Sequence, residues 1–477
     1  MKMIIGGEKV DSRDGKVIEV TNPATMELLD TVPSATSEDV ERALDIAQEG
    51  KRVWAQTPLY ERCRKLMAFA DLVEENKDEL ALLLCKETGK AIKDAWAEVG
   101  GIPSVVRAYA ERAAHLYGSC LSDVQPGTEH DLIITIREPL GVIVCVIPFN
   151  FPAGTLAHKI APALAMGNAV IVKPPSDNPL NNIRMVELLL EAGIPGSVVQ
   201  VVTGSGSVVG KELIASPKID GLSLTGSTEV GIDAAQTAAK HLHHVMLELG
   251  GNDSLIVFQD ADLKAVINEL FRSKISCCGQ ICSATKRLLV QNPVKDALTD
   301  LIVEEFSKLK VGDPLDPETD MGCLISEKAA IEVENQVKHT IEQGARCVFG
   351  GKRFNRTFFE PTVLVDVTPD MDIAKDMEIF GPVLPIIGFD TWEEAVAITN
   401  ASKYGLMGGV MTKDINIAMK VAMRMESGGV VINGAGRYRT PDFPFGGYKM
   451  SGLGREGAST TLEEMSQMKA IVLKGVR

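Results

Sequence analysis

Five short segments carry the side chains that could do chemistry, and each lies at an end of a predicted strand. They offer an amide, a lysine, hydroxyl groups with glycines, a carboxyl group and a thiol. In an α/β protein a ligand site forms where parallel strands end, so these groups are candidates for a single site. In chain order the segments are residues 148–152, 173–176, 224–231, 247–251 and 279–283.

The thiol and the carboxyl group are candidates for covalent catalysis. Cys282 lies in a loop that contains Gly279 and leads into a strand, and a thiolate nucleophile needs such access. Glu248 lies at the end of an apolar strand, where burial would raise the pKa of its carboxyl group and make it a usable general base. The other eight cysteines are interpreted as small core residues.

Asn150 and Lys173 each allow two interpretations. The amide of Asn150, between aromatic residues and prolines, can stabilise a developing oxyanion or simply cap its loop. Lys173 can bind a ribose or a phosphate, but taken alone it is better explained as a surface lysine. Segment 224–231 begins a helix after a strand and resembles an anion site. Residues 204–206 lack the third glycine of a dinucleotide-binding loop at the right spacing, so we interpret them as a turn.

The elements that must position these groups alternate along the chain. Residues 36–118 are predicted to be helical, and residues 131–137 alternate like a strand. From residue 140 to residue 251, near-continuous Val and Ile runs are separated by helical stretches, and a second alternation covers about 253–457. This pattern predicts an α/β fold with a Rossmann-type parallel sheet that helices cover on both faces.

Composition and charge exclude other classes of protein. The 477 residues carry a formal net charge of −15 and only 5% aromatic residues, so nucleic acid and anionic membrane surfaces are poor partners. No apolar run reaches the ~18 residues that span a bilayer. The first residues are too briefly apolar for a signal peptide, and we expect a cytoplasmic protein.

The nine cysteines favour neither a disulfide framework nor a metal centre. Their number is odd and their spacing irregular, as expected for a long chain with free thiols. Cys277, Cys278 and Cys282 crowd together, but no second pair of ligands follows at metal-binding spacing. We therefore expect no metal.

The segments also carry a family resemblance. The motifs Pro-Phe-Asn-Phe-Pro, Leu-Thr-Gly-Ser, Glu-Leu-Gly-Gly and Gly-Gln-Ile-Cys are followed by residues 378–383, in one order and at characteristic spacings. In these motifs and in residues 444–447 and 449–457, the chain resembles the NAD(P)-dependent aldehyde dehydrogenase superfamily over essentially its whole length. The resemblance implies a Rossmann-type cofactor domain, an α/β catalytic domain and a small β oligomerisation unit.

The resemblance implies a role for each catalytic residue. Cys282 attacks an aldehyde to give a thiohemiacetal, and the oxyanion lies between the Asn150 amide and the Cys282 backbone N–H. Hydride transfer leaves a thioester, which water activated by Glu248 hydrolyses. Relatives that transfer the acyl group to CoA lack this glutamate, so we expect a free carboxylic acid as product.

The resemblance also implies cofactor contacts. Lys173 and Glu378 would hold the two riboses, Ser227 the pyrophosphate, and Phe380 would lie beside the nicotinamide. NAD-preferring relatives usually carry a glutamate where this chain has Ser176, so we expect NADP to be favoured and NAD to be usable, although Asp177 could restore some repulsion of a 2′-phosphate. The full set of expected contacts is Phe149, Lys173, Ser176, Gly226, Ser227, Gly231, Leu249, Gly250, Glu378 and Phe380.

Small and polar residues after Asn150 predict a short, polar aldehyde. If they reach the mouth of the substrate tunnel, cationic side chains would favour an anionic or hydroxylated tail, although each arginine is also explained as a solvated surface cation. The candidate substrate contacts are Thr155, His158, Arg107, Arg437 and Arg439. Residues 438–445 look more like the lactaldehyde and non-phosphorylating glyceraldehyde-3-phosphate branch than the betaine-aldehyde branch. The candidate substrates are lactaldehyde, glycolaldehyde, glyceraldehyde or its 3-phosphate, succinate semialdehyde and a sulfonated short aldehyde.

By resemblance the chain divides into three parts and forms a homo-oligomer, either a dimer or a dimer of dimers (a homotetramer). The apolar tail would add a strand to a neighbouring subunit. The parts are a cofactor-binding domain of residues 1–121 and 140–249, a catalytic domain of residues 250–457, and a bridging unit of residues 122–139 and 458–477.

Two alternatives stay open for the function: a cysteine-dependent ester hydrolase or acyltransferase without redox function, and a non-enzymatic structural or binding protein.

Overall fold

Two large sheets, both made mainly of parallel strands, form the frame of the protein. The computed structural model describes residues 1–122 and 125–476. Within these residues the α-helices are α1 Ser37–Gln56, α2 Leu59–Glu75, α3 Lys77–Thr88, α4 Ile92–Ala113, α5 Pro152–Ala165, α6 Leu180–Glu191, α7 Lys211–Ala215, α8 Thr228–Ala239, α9 Leu263–Leu270, α10 Asn292–Ser307, α11 Glu327–Glu342, α12 Trp392–Asn400, α13 Ile415–Ala422 and α14 Ala458–Glu464.

The strands are short, and many of them are buried. Those of the described residues are β1 Met3–Ile5, β2 Glu8–Val10, β3 Val17–Thr21, β4 Leu28–Pro33, β5 Cys120–Leu121, β6 Leu132–Pro139, β7 Val142–Val146, β8 Ala169–Lys173, β9 Val199–Val201, β10 Gly221–Thr225, β11 His244–Glu248, β12 Ser254–Val257, β13 Arg287–Gln291, β14 Arg346–Phe349, β15 Arg353–Phe354, β16 Phe358–Phe359, β17 Thr362–Val365, β18 Val383–Phe389, β19 Tyr404–Gly405, β20 Met407–Met411, β21 Gly429–Ile432, β22 Tyr448–Lys449, β23 Gly452–Leu453 and β24 Ser466–Leu473.

The first sheet has the order β2-β1-β9-β8-β7-β10-β11-β23. Strands β9, β8, β7, β10 and β11 run parallel, and β8 is buried at every position. The chain winds from β7 through β8 to β9 on one side, and β10 lies on the other side of β7. The order of the strands therefore reverses between β7 and β10, which is where open α/β sheets bind ligands. The predicted α/β class is confirmed, and α1 to α4 form the predicted helical region.

The second sheet has the order β14-β17-β18-β13-β12-β20-β21, with only the β14–β17 pair antiparallel. Strand β11 ends at Glu248 and β12 begins at Ser254. The carboxyl edge of the first sheet consequently meets the amino edge of the second. Cys282 precedes β13, so it belongs to that amino edge, whereas the other four segments follow strands of the first sheet.

The C-terminal region returns to the first half of the chain. Strand β23 pairs antiparallel with β11 beside Glu248, and α14 packs against α4 and α5. Strand β24 pairs antiparallel with β6 over its whole length, and with β5 these strands form a separate three-stranded sheet. Asp123, Val124 and Arg477, which the predicted bridging unit includes, lie outside the described residues. Among the helices that the structure describes, none is long and apolar enough to cross a membrane.

Candidate active site

One cavity of about 970 Å³ lies where the two sheets meet. Cys282, Glu248 and Asn150 all line it, although they come from three separate parts of the sequence. Two of the predicted substrate contacts, Thr155 and His158, line the same cavity from α5. The long-range fold therefore brings together the thiol, the carboxyl group and the amide that the sequence analysis singled out.

The loop that carries Cys282 has an unusual backbone. Cys277 and Cys278 adopt left-handed conformations with φ of 52° and 54°, which costs energy for residues that have a Cβ atom. Gly279 follows with φ of 68°, and a Cβ atom there would lie 2.4 Å from the carbonyl oxygen of Gly381. Asp94 stabilises this turn, because its carboxylate accepts hydrogen bonds from the Ser276 hydroxyl at 2.8 Å and from the Cys277 N–H at 2.9 Å.

The thiol of Cys282 is protonated in its resting environment. Burial raises the pKa of the thiol well above its usual value, and the nearby carboxyl groups of Glu248 and Asp253 raise it further. Lys286 and Arg439 act in the opposite direction without outweighing burial. A nucleophilic thiolate consequently needs a base close to it.

Glu248 has the properties of such a base. Burial raises the pKa of its carboxyl group to about 7, and the Glu456 carboxylate adds to this effect, while Arg439, Lys159 and a contact with the Cys282 thiol oppose it. Its Oε1 atom is buried and has no hydrogen-bond partner among the described residues. A carboxyl group that is half ionised near neutral pH and has a free oxygen is suited to take a proton from a thiol or a water molecule.

Glu456 is a second buried carboxylate that the sequence analysis did not single out. Burial alone would raise its pKa, but Lys159 and Arg439 outweigh burial and lower the pKa to about 2. The Lys159 ammonium lies 3.1 Å from one carboxylate oxygen, and the Arg439 guanidinium lies 2.8 Å from the other. Glu456 therefore stays ionised and keeps a fixed negative charge near Glu248.

Removal of that fixed charge should shift the pH dependence of the reaction. In Glu456→Gln the repulsion that raises the pKa of Glu248 is lost, so Glu248 should ionise at lower pH. We expect the acidic limb of the rate profile to move down by about one pH unit, the order of effect that one neighbouring charge produces. Glu74→Gln, an exposed glutamate on α2, is the matched control. An unchanged acidic limb in Glu456→Gln would mean that another group titrates.

Hydrogen bonds fix both the nitrogen and the oxygen of the Asn150 side-chain amide. Its Nδ2 atom donates to the Gln280 carbonyl oxygen at 2.8 Å, and its Oδ1 atom accepts from the Phe151 N–H at 3.0 Å. The amide thus caps its own loop, as one interpretation predicted. Because an amide nitrogen carries two hydrogens, one donor is still left for a developing oxyanion beside Cys282.

A buried ion pair beneath Asn150 was missed by the sequence analysis. Lys90, which is 1% exposed, lies 2.5 Å from the Glu98 carboxylate and donates to the Asn150 carbonyl oxygen at 2.6 Å. The other carboxylate oxygen of Glu98 accepts the N–H groups of Ala153 and Gly154, both at 3.0 Å, in the first turn of α5. The pair holds the amide loop and the start of α5 in one arrangement.

Lys173 lies at the carboxyl end of β8 and is 4% exposed, so its interpretation as a surface lysine is wrong. Burial lowers the pKa of its ammonium group to about 8, against the attraction of Asp177. Its Nζ atom donates to the Pro174 carbonyl oxygen at 2.9 Å and to the Ser176 hydroxyl at 3.4 Å. The buried ammonium is available at the strand end, where the resemblance places a ribose.

The turn after β10 leads into the N-terminus of α8 and contains close contacts at two glycines. Ser227 caps α8, with its hydroxyl accepting from the Val230 N–H at 3.4 Å, so the first N–H groups of a 12-residue helix point outward. A Cβ atom at Gly231 would lie 2.4 Å from the Leu249 side chain, and one at Gly250 would lie 2.5 Å from Glu378. A side chain at either position would displace Leu249 or Glu378 from its present place.

Three further expected cofactor contacts are Gly226 and the aromatic residues Phe149 and Phe380. The Gly226 N–H donates to the Glu248 carbonyl oxygen at 3.1 Å, which ties the turn to the catalytic strand. The rings of Phe149 and Phe380 meet edge to face at 5.8 Å between centroids. The groups present here fit NAD or NADP. They are a helix N-terminus, the buried Lys173, the partly exposed carboxylate of Glu378 and two aromatic rings.

The predicted substrate contacts divide into those at the cavity and one that lies elsewhere. Thr155, His158, Arg437 and Arg439 line the cavity. Arg107 does not, and that prediction is wrong: its guanidinium on α4 forms ion pairs with Asp71 at 2.7 Å and Glu74 at 2.8 Å on α2.

His158 is neutral rather than cationic. Burial and the nearby Arg439 lower the pKa of its imidazole to about 3, and its Nδ1 atom lies 3.2 Å from the Tyr109 hydroxyl. It can therefore offer a hydrogen bond to a substrate but no charge.

Comparison with known proteins agrees with this geometry. The model of the aldehyde dehydrogenase family matches residues 9–471. The chain is 38% identical to the glutarate-semialdehyde dehydrogenase of Pseudomonas putida over 98% of this chain and 97% of the relative, and 37% identical to the lactaldehyde dehydrogenase of Methanococcus maripaludis over 99% and 100%. A crystal structure described as an Escherichia coli NADP-dependent enzyme superposes with a TM-score of 0.96 at 37% identity, covering 99% of this chain and 98% of that one.

The chain belongs to the aldehyde dehydrogenase family. It is an oxidoreductase that acts on the aldehyde group and uses NAD or NADP as its cofactor.

Proposed function

We propose that this enzyme oxidises a short polar or anionic aldehyde to its carboxylic acid through a covalent intermediate on Cys282. The observation that carries the proposal is the common cavity, in which the thiol, the Asn150 amide and the buried Glu248 carboxyl group meet. A thiol nucleophile, an oxyanion donor and a base are the groups that this reaction needs from the protein.

The first half of the reaction forms the thiohemiacetal. Glu248 takes the thiol proton, and the Cys282 sulfur forms a bond to the carbonyl carbon while the carbonyl π electrons move to oxygen. The Asn150 amide and the Cys282 backbone N–H stabilise that oxyanion. When bound, the nicotinamide ring supplies the acceptor for the hydride that leaves the same carbon, so the carbon becomes a thioester.

The second half hydrolyses the thioester. Glu248 first releases the thiol proton to solvent and then, as a carboxylate, takes a proton from a water molecule. The hydroxide oxygen forms a bond to the acyl carbon, and the carbon–sulfur bond breaks. The products are the carboxylic acid and the Cys282 thiolate, which is then reprotonated. The raised pKa of Glu248 allows it to accept and release protons near neutral pH.

We further propose that Lys173, Glu378 and the start of α8 hold the cofactor and that NADP is preferred. Ser176 is a small neutral residue beside the buried Lys173 ammonium, and its hydroxyl donates to the Gly204 carbonyl oxygen at 3.1 Å. Because this position carries no carboxylate, it does not repel a 2′-phosphate. NAD is also accepted. The kcat/KM values for NADP and NAD with one aldehyde test this preference.

Arg437 is the proposed anchor for a negatively charged or hydroxylated tail. Its guanidinium donates to the Arg272 carbonyl oxygen and lies 5.4 Å from the centre of the Phe151 ring at the cavity wall. Within residues 1–122 and 125–476 no carboxylate forms an ion pair with it, whereas Arg439 is occupied by Glu456. An unpaired guanidinium fits the anionic and hydroxylated members of the candidate set.

Replacement of Arg437 should therefore change substrate selectivity. We expect Arg437→Gln to lower kcat/KM for an anionic aldehyde by about ten- to a hundredfold, the range for one lost charged hydrogen bond, and to spare propionaldehyde. Arg107→Gln is the matched control, because Arg107 lies outside the cavity. Equal losses for charged and neutral aldehydes would contradict the anchor.

The whole proposal is tested with a panel of short aldehydes, measured with NADP and NAD and with and without CoA. The proposal predicts nicotinamide reduction with hydroxylated or anionic aldehydes at rates that do not depend on CoA. Reduction that requires CoA would contradict hydrolysis by Glu248. Ester hydrolysis without any reduction would favour the hydrolase alternative.

We also propose a cytoplasmic homo-oligomer, a dimer or a dimer of dimers. In support, β24 is an edge strand of its three-stranded sheet, and Met468 and Val472 on it are 63% and 51% exposed. An exposed edge strand with apolar side chains is suited to pair with a second copy. Light scattering of the purified chain should give two or four times the mass of 51.3 kDa, and a monomer would contradict the proposal.

A further inference from the structure

Lys286 is a buried lysine that the reaction scheme above does not use. It lies four residues after Cys282, just before β13, and is 2% exposed. A buried ammonium group is costly unless its hydrogens meet acceptors, so its partners show what the residue is fixed to.

The ammonium of Lys286 contacts the surroundings of both the nucleophile and the cofactor carboxylate. It donates a hydrogen bond to the carbonyl oxygen of Cys282. It also forms an ion pair at 2.9 Å with the Glu378 carboxylate, and it lies 5.6 Å from the centre of the Phe380 ring. The same carboxylate oxygen of Glu378 accepts the Gly251 N–H at 3.3 Å.

Two other buried ionisable groups, Lys274 and Asp253, act together with Lys286 in the region between Cys282 and Glu378. Lys274 is also buried, but burial lowers the pKa of its ammonium group well below the usual value, Lys286 lowers it further, and its Nζ atom has no hydrogen-bond partner among the described residues. The carboxyl group of Asp253 is buried with its pKa raised to about 7. Lys286 therefore pairs with Glu378, and its charge lowers the pKa values of the Cys282 thiol and of the Asp253 carboxyl group against burial.

We propose that Lys286 is a positioning residue that bridges the nucleophile and the cofactor carboxylate. One ammonium fixes the backbone of Cys282 and the side chain of Glu378 at the same time, so the sulfur and the ribose-binding carboxylate keep one relative placement. The cofactor half of the bridge rests on the proposed role of Glu378. The positive charge also favours the thiolate, in agreement with its effect on the pKa of Cys282.

Two measurements that need no aldehyde test the bridge. The first is the rate at which iodoacetamide alkylates Cys282 at pH 8 without cofactor, followed by mass spectrometry of the peptide that contains Cys282. Other groups that act on this thiol, namely Glu248, Asp253 and Arg439, are unchanged in the variants. The second is the Kd of NADP by titration calorimetry. Because neither readout involves turnover, failure of the bridge is distinguishable from failure of the proposed oxidation.

Lys286→Met should slow the alkylation about tenfold, the effect of one pKa unit on the thiolate fraction, and weaken NADP binding about tenfold. Glu378→Gln should weaken NADP binding without slowing alkylation. Lys310→Met, an exposed lysine paired with Asp316, is the matched control and should change neither value. If Lys286→Met does not fold, the double variant Lys286→Met/Glu378→Gln removes both charges and is compared with Glu378→Gln, with the same slower alkylation expected. Wild-type alkylation in the Lys286 variant, or slower alkylation with unchanged NADP affinity, would overturn the bridge.

Discussion

Cys282→Ala should abolish aldehyde oxidation and leave cofactor binding intact. Removal of a nucleophile leaves only positioning and oxyanion stabilisation, so we expect kcat/KM to fall by a factor on the order of 10⁴ or more. The cofactor contacts that we propose come from β8, α8 and Glu378, none of which includes the sulfur. The measurement is nicotinamide reduction at saturating aldehyde, combined with calorimetry of NADP binding.

Cys347→Ala supplies the matched control for this loss. Cys347 lies on β14 and is half-buried, and its thiol donates to the Phe349 carbonyl oxygen at 3.3 Å, outside the residues that line the cavity. We expect wild-type rates in this variant. Full turnover in Cys282→Ala would contradict the assignment of the nucleophile.

Glu248→Gln should separate the two halves of the reaction. Glutamine has the same shape but accepts no proton, so the thiol must ionise to solvent, which slows the first half at neutral pH and is relieved at alkaline pH. The thioester that then forms should persist, because no base activates water. We expect a burst of about one reduced nicotinamide per active site, followed by a steady-state rate lower by a factor of about 10² to 10⁴, the usual contribution of a general base. Rapid mixing at alkaline pH, where the thiol ionises more readily, gives the clearest burst.

The steady-state rate of the wild-type enzyme, measured as a function of pH, should show how Glu248 titrates. Because the pKa of Glu248 is about 7, its ionised form and the hydrolysis rate should rise as the pH passes upward through that value. Glu74→Gln should retain this profile, since Glu74 is exposed on α2. Normal steady-state turnover in Glu248→Gln would show that another base serves.

The fold and the central groups could be predicted because local patterns determine them. Buried parallel strands are continuous Val and Ile runs, so β7, β8 and β12 are visible in the sequence. Cys282, Glu248 and Asn150 each stand beside such a run, and strand ends of an α/β protein collect at one crevice. The family resemblance then gave each residue a role.

The supporting residues could not be predicted because their partners are distant in sequence. Lys90 and Asn150 are 60 residues apart, and Lys159 and Glu456 are 297 residues apart. Charged side chains such as these resemble solvated ones until the fold shows them buried together. Arg107 is the opposite case. It was predicted to reach the cavity, but the sequence does not reveal that Asp71 and Glu74 lie beside it or that the cavity lies elsewhere.

The backbone conformation of the loop that carries Cys282 could not be predicted from the sequence either. Left-handed φ values are expected at glycine, and Gly279 could have suggested one, but Cys277 and Cys278 adopt them as well. The hydrogen bonds from the Ser276 hydroxyl and the Cys277 N–H to Asp94 hold this turn, and Asp94 lies on α4, far earlier in the chain. The nucleophile loop is thus shaped by long-range contacts more than by its own sequence.

The central claim is that the oxidised substrate is held covalently on Cys282. Mass spectrometry of Glu248→Gln, quenched with acid after mixing with NADP and an aldehyde, tests it most directly. The account predicts that the peptide containing Cys282 gains the mass of the aldehyde less two hydrogen atoms, as a thioester requires. Reduced nicotinamide without that adduct, or with the adduct on another residue, would contradict the account.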